Sequence, residues 1–237
     1  VETGAGLSYE QVKSHTFKTA NPAGWTVRVE TTTAGGYLAD TVSGVIVNPG
    51  AGAKLQILAP GEVAVPGSSN GKDMAIAPSI STAGVPFTFT IRTVDADWNP
   101  TADNVTVTLG VRGDPYAVWT GGNTASVVGG VATKEVTLKR AQSGANFAVI
   151  EATVTAGGAQ TSAIVSPATR GITVNANVPT RLQVLIPNQA ADPGSGAGYS
   201  GTVALATAGI SLPVTVNVTD DYWNVRADTS ATVRLAT

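Results

Sequence analysis

Apolar and polar residues alternate with a period of two in several runs of this chain, among them Phe87-Thr88-Phe89-Thr90-Ile91-Arg92, Val105-Thr106-Val107-Thr108-Leu109 and Val214-Thr215-Val216-Asn217-Val218. Successive strand residues point to opposite faces, so each run predicts an antiparallel strand with one face in a core and the other wet. The same pattern predicts strands at Val27-Arg28-Val29, Val136-Thr137-Leu138-Lys139, Ile150-Glu151-Ala152-Thr153-Val154 and Val233-Arg234-Leu235. His15 falls on a further predicted strand, aligned with Val136. Clusters of Gly, Pro, Asn and Asp separate the runs, supplying turns and forbidding continuous helices. The expected class is all-β.

The pattern also repeats on a longer scale. Lys54-Leu55-Gln56-Ile57-Leu58-Ala59-Pro60 returns as Arg181-Leu182-Gln183-Val184-Leu185-Ile186-Pro187, an offset of 127 residues. Thr82-Ala83-Gly84 returns as Thr207-Ala208-Gly209, and Val94-Asp95-Ala96-Asp97-Trp98-Asn99 as Thr219-Asp220-Asp221-Tyr222-Trp223-Asn224. In the other direction, Gly44-Val45-Ile46-Val47-Asn48 matches Gly171-Ile172-Thr173-Val174-Asn175, and Lys18-Thr19-Ala20 matches Lys139-Arg140-Ala141. Residues 1–53 therefore read as the C-terminal half of a module, 54–180 as a complete module and 181–237 as the N-terminal half of another. Both ends fall at the connection that runs from about Val111 to Gly130 in the complete copy.

Halves of roughly 50 residues bury too little surface and leave strand edges unpaired. Each is expected to be completed by continuing chain, or by the front half of one subunit docking with the back half of the next. A head-to-tail joint of that kind generates open filaments.

Composition narrows the function. Charged residues make up 13% of the chain, about half the usual share, and the net charge is −2 with Lys and Arg scattered along it and only Lys139-Arg140 adjacent. That leaves no electrostatic footprint for a nucleic-acid backbone. The absence of cysteine removes disulfides, thiolate catalysis and Cys-based metal sites. No apolar run reaches the roughly 18 residues of a spanning helix, and Val1 opens no signal segment. The sequence reads as mature or cut from something longer.

Pro60-Gly61-Glu62-Val63-Ala64-Val65-Pro66-Gly67, then Thr82-Ala83-Gly84-Val85-Pro86-Phe87, then Val94-Asp95-Ala96-Asp97-Trp98-Asn99-Pro100 resemble the tandem bacterial Ig-like (Big-type) repeats of large extracellular surface and filament proteins. Ile46-Val47-Asn48-Pro49-Gly50-Ala51 is similar to their inter-module linker. The second copy departs from the pattern, with Pro187-Asn188-Gln189 in place of Pro-Gly-Glu and Tyr222 in place of Asp97. The resemblance implies antiparallel Greek-key immunoglobulin-like β-sandwiches in a tandem array, a cell-surface location, and roles as stalks, sheaths, filaments or adhesins. It implies no chemistry.

Asp95, Asp97 and Asn99, with Asp220 and Asn224 at the equivalent positions, form an oxygen-rich alternation of the kind that calcium takes, and calcium is the one candidate cofactor. An EF-hand is excluded, since Pro100 and Thr106 stand where that loop needs Gly and Glu. The reading preferred over calcium is that the same side chains accept backbone N–H bonds within a turn, with Trp98 and Trp223 plugging the end of a sandwich. Arg112-Gly113-Asp114 spells an integrin-type tripeptide that a glycine turn also explains. Asn104 and Asn217 fit the glycosylation pattern, and alternation puts Asn217 on an outward face with Thr215 and Thr219.

His15 is the only histidine, so acid–base or nucleophilic catalysis lacks its usual parts and no enzyme is expected. Gly194-Ser195-Gly196-Ala197-Gly198 and Gly121-Gly122 lack the strand, helix and lysine of a phosphate loop. The leading expectation is a self-associating structural unit, with the copies themselves as partners. The alternative is an adhesin or carbohydrate-binding module with a glycan or surface ligand, for which Trp25, Tyr37, Tyr116, Trp119 and Tyr199 are the candidate platform.

Overall fold

The computed structural model describes residues 12–31, 37–157, 171–227 and 229–236. Among the described residues fifteen strands follow in order. A leading hairpin joins β1 (Asn21–Val29) to β2 (Asp40–Val47). The central body runs through β3 (Lys54–Leu58), β4 (Ser81–Thr82), β5 (Pro86–Val94), β6 (Val105–Arg112), β7 (Val118–Trp119), β8 (Thr124–Val127), β9 (Val131–Thr137), β10 (Val149–Ala156) and β11 (Val174–Asn175). A trailing segment carries β12 (Arg181–Leu185), β13 (Ala190–Ala191), β14 (Tyr199–Ser200) and β15 (Thr215–Thr219). Among the described residues the single helical element is a 3₁₀ turn at Gly144–Asn146, and no helix is long and apolar enough to cross a membrane.

The central body has two antiparallel sheets, ordered β3-β5-β9-β7 and β10-β6-β8. Alternation decides what lies between them. Leu55, Ile57, Phe89, Ile91 and Val136 from the first sheet meet Val105, Val107, Leu109, Val127, Ile150 and Ala152 from the second in one buried cluster. Each such side chain contributes about 1.5–3 kcal/mol for full burial if it is Val-sized or larger. Two sheets sharing one core are consistent with a β-sandwich. A short parallel ladder, Val174↔Ser81 and Asn175↔Thr82, ties β11 to β4.

Strand β3 is buried on both faces, because the loop from Ala59 to Ile80 covers Gln56 and Leu58. Inside that cover Lys72 Nζ lies 2.7 Å from Glu62 Oε2, which also accepts the Ala59 N–H at 2.9 Å. Burial pushes the Lys72 ammonium below its ordinary pKa, with Glu62 opposing the shift. The trailing segment keeps the backbone bond in neutral form: Gln189 Oε1 accepts the Ile186 N–H at 3.2 Å.

Three local expectations are corrected. His15 lies outside any strand, with its ring edge-on to Phe17 at 4.9 Å. Val233-Arg234-Leu235 forms no strand, because β6, its counterpart, is held between β8 and β10, and nothing in the trailing segment takes their place. Thr219 is buried, not outward, and Asn217 is half-buried, giving its Nδ2 proton to Gln183 Oε1 at 2.9 Å.

Candidate functional site at the joints

Asp95 follows the last residue of β5, where strand gives way to a turn. Its Oδ1 accepts the N–H groups of Asp97 at 2.8 Å and Asn99 at 2.9 Å, closing the turn on itself. Trp98 is thereby held at a φ of 67°, in the left-handed region that bulky residues avoid. Its ring has compensating contacts. It lies on Gly71, where an added Cβ would stand 2.4 Å from Trp98 Cδ2, and the Lys54 ammonium sits 4.3 Å from the ring centroid. Gly71 is itself fixed by Gln56 Nε2, which donates to its carbonyl at 2.7 Å, and by Ser68 Oγ, which accepts its N–H at 2.9 Å.

Each of these contacts recurs in the trailing segment. Trp223 has a φ of 66° and lies on Gly198, with the Arg181 guanidinium 5.0 Å from its ring. Gln183 Nε2 donates to the Gly198 carbonyl at 2.8 Å, and Ser195 Oγ accepts the Gly198 N–H at 2.9 Å.

The turn has a second set of bonds, which leaves its own segment. Asp95 Oδ2 accepts the Gly50 N–H at 2.8 Å and the Asn99 Nδ2 proton at 2.9 Å. Asn99 Oδ1 in turn accepts the Ala20 N–H at 2.7 Å, while its Nδ2 donates to the Lys18 carbonyl at 2.8 Å. The buried pair Asp95–Asn99 thus grips two stretches of the leading part, the entry to β1 and the link after β2. In the trailing segment Asp220 Oδ2 accepts the Asn177 N–H at 2.8 Å, Asn224 Oδ1 accepts the Ala141 N–H at 2.6 Å, and Asn224 Nδ2 donates to the Lys139 carbonyl at 2.8 Å. Lys18 and Ala20 correspond to Lys139 and Ala141 in the repeat, so both joints use the same clamp on the same backbone atoms.

Burial by itself would raise the Asp95 carboxyl, but the Asn99 amide and the N–H groups of Gly50, Asn99 and Asp97 outweigh it and hold the group below its ordinary pKa. Each clamp carboxylate, Asp95 or Asp220, accepts four N–H donors. A calcium ion would have to displace them. Asp97 contributes through its backbone, donating to Asp95 and accepting the Gly67 N–H at 2.7 Å. Among the described residues no three His, Cys, Asp or Glu side chains gather as a metal site requires.

Around the shared clamp the trailing joint carries further bonds. Asp192, which stands where the earlier copy has Val65, pairs with Arg140 Nη2 at 2.7 Å and accepts the Tyr116 hydroxyl proton. Arg140 Nε donates to the Pro193 carbonyl at 3.2 Å. Tyr222, in place of Asp97, packs against the central core with its ring over Gly84, where a Cβ would come within 2.1 Å of Tyr222 Cε2.

The remaining motifs resolve individually. Asp114 of the integrin-type tripeptide is buried, accepting the N–H groups of Lys139 at 2.6 Å, Arg140 at 3.0 Å and Tyr116 at 3.1 Å. It anchors the very segment that Asn224 grips, a role that a Gly-Asp-Pro turn signal hints at but does not specify. Asn104 is exposed, and its Oδ1 accepts the Gly129 N–H at 2.7 Å. Of the aromatic candidates, Trp119 packs edge-on to Phe89 and Trp25 stacks on Phe17, while Tyr37 and Tyr199 are exposed in different segments. No protein-family model and no curated protein sequence matches this chain.

Proposed function

We propose that this chain is a structural, non-catalytic unit of a bacterial extracellular filament, stalk or sheath, in which immunoglobulin-like Greek-key modules of the tandem bacterial kind are set end to end. The observation that carries the reading is the pair of matching joints, where a buried Asp–Asn clamp holds the backbone of the preceding part in the same way on both sides of the central body. A link held by several buried hydrogen bonds keeps its direction, whereas a link free of them is a swivel. Direction-keeping joints suit a protein whose work is length and stiffness. Thr-rich surfaces with few charges favour packing against further copies.

Small-angle scattering of the chain beside an Asp95→Ala/Asp220→Ala variant tests the proposal. The unaltered chain is expected to scatter as one rigid body and the variant as a mixture of arrangements. A parent chain that already scatters as freely swivelling parts overturns it.

A further inference from the structure

The trailing segment repeats the front half of the central body, and among the described residues no second sheet covers it. Leu55 and Ile57 of β3 are fully buried against β10-β6-β8, whereas their counterparts Leu182 and Val184 on β12 are 51% and 52% exposed. Counted from the clamp, where Asn99 matches Asn224, Leu109 of β6 falls on Arg234; matched by apolar alternation, one residue further on, it falls on Leu235, which is exposed in a stretch without strand structure. The leading hairpin is the complementary case. The bridges Asn21↔Val47 and Trp25↔Val45 reproduce Gln142↔Val174 and Ala148↔Ile172 of the central body. On that register Val27 and Val29 stand where the buried Ile150 and Ala152 stand, yet both are exposed. The chain therefore presents two apolar half-cores, a front half and a back half, and its central body shows how such halves close on each other.

We infer that residues 181–236 of one copy receive the β1–β2 hairpin of a second copy, with residues 231–235 adding to the open edge of β1 as β6 adds to β10. The inference rests on the head-to-tail structural reading above and names the surface that performs it. A second trailing segment is the poorer occupant, since it would set front half against front half and supply no counterpart of β10. Ala152 faces Leu109 across the β10–β6 ladder, and with the apolar alternation of Val233 and Leu235 set in phase with Val107 and Leu109, Val29 of one copy faces Leu235 of the next. Directly opposed residues in antiparallel strands, with Cα atoms about 5.5 Å apart or less, are within disulfide reach.

The chain has no cysteine of its own, so a Val29→Cys/Leu235→Cys variant reports this contact alone. Oxidation is expected to give a ladder of covalent multimers, and a Val29→Cys/Arg234→Cys control, with its second cysteine on the opposite face, is expected to give far less. Light scattering of the cysteine-free chain is expected to show mass rising with concentration. Leu182→Asp/Val184→Asp should weaken that association about 30-fold or more, the size of a buried interface anchor. Both side chains are already half exposed, so the melting of the central body should not move.

A disulfide formed within single chains, a ladder as strong from the control pair, or a chain that stays monomeric at every concentration overturns the docking. If the monomer still scatters as one rigid body, the docking falls and the structural reading stands. Swivelling joints in a chain that nevertheless forms the ladder overturn the structural reading alone.

Discussion

The two joints share a clamp and the Trp–Gly stack beside it, and differ in the side-chain pairs around them. At the leading joint Asp95 and Asn99 bind Lys18, Ala20 and Gly50, and at the trailing joint Asp220 and Asn224 bind Lys139, Ala141 and Asn177. All of those partners are backbone atoms. The trailing joint adds contacts between side chains: Arg140 with Asp192, Tyr116 with Asp192, and Lys139 against the Tyr222 ring at 5.8 Å. The Arg140 bond to the Pro193 carbonyl has its counterpart at the leading joint, where Thr19 donates to the Pro66 carbonyl. A clamp that reads backbone works with any neighbour of the same fold, whereas side-chain pairs work only with the right neighbour. One set makes a joint, and the other selects which parts are joined.

The largest effect should come from removing a clamp carboxylate. Asp95→Ala strands four N–H donors, and buried donors without partners cost about 1–3 kcal/mol each in the worst case, so a loss of about 3 kcal/mol is expected. Hydrogen exchange should show the Ala20 and Gly50 amides losing protection as the leading hairpin comes away. Asp220→Ala should cost a similar amount at the clamp yet leave the trailing joint closed, because Tyr222 and Asp192 still hold it. Equal release of both joints would break the distinction between them.

Gly84→Ala comes next. It places a methyl group on the Tyr222 ring at a φ of 79°, and about 2 kcal/mol should be lost between strain in the central turn and a loosened trailing joint, the latter read as earlier exchange of the Asn177 amide. Asp192→Val imports the residue of the leading joint and should cost about 1 kcal/mol, as expected of a half-exposed ion pair. Protection at Ala141 should survive it.

Acid gives a smaller, graded effect at the leading joint. The Asp95 pKa is depressed in the folded chain, so its contribution is fully present above the ordinary carboxylate pKa and is lost as pH falls through the lower folded value. A pH series of Gly50 amide exchange should show protection declining only below the ordinary carboxylate range. The smallest effect is none: with each clamp oxygen already engaged by N–H donors, melting temperature should be the same in EDTA and in millimolar calcium. A rise with calcium would mean that the clamp opens to a metal.

Much of this was readable in the residues. The alternation around Phe89 and Ile91, Val105 to Leu109 and Ile150 to Ala152 marks the strands and their buried faces, because a strand of period two with one apolar face has one way to sit on a core. The repeat pairs the Asp95–Asn99 motif with Asp220–Asn224 and Lys18 with Lys139 from the residues alone. What the pattern did not carry was where the clamp oxygens go. An Asp-x-Asp-x-Asn run reads as a turn before it reads as a cation site, and only the approach of Gly50 and Ala20, 45 and 79 residues away, turns it into a joint. Asp114 shows only as part of a loop tripeptide for the same reason, since its partners lie 25 and 26 residues further on.

The strand at Val233-Arg234-Leu235 shows the limit from the other side. Its alternation is as regular as that of β6, yet it forms no strand here, because a ladder needs neighbours and the pattern describes only the strand's own faces. The amino-acid sequence by itself determined the all-β class, the inward faces and the spacing of the copies, all of which follow from local geometry and side-chain polarity. Only the tertiary structure decided which carboxylates bind backbone, how the two joints differ and which apolar faces stay open, because each depends on groups brought together from distant parts of the chain.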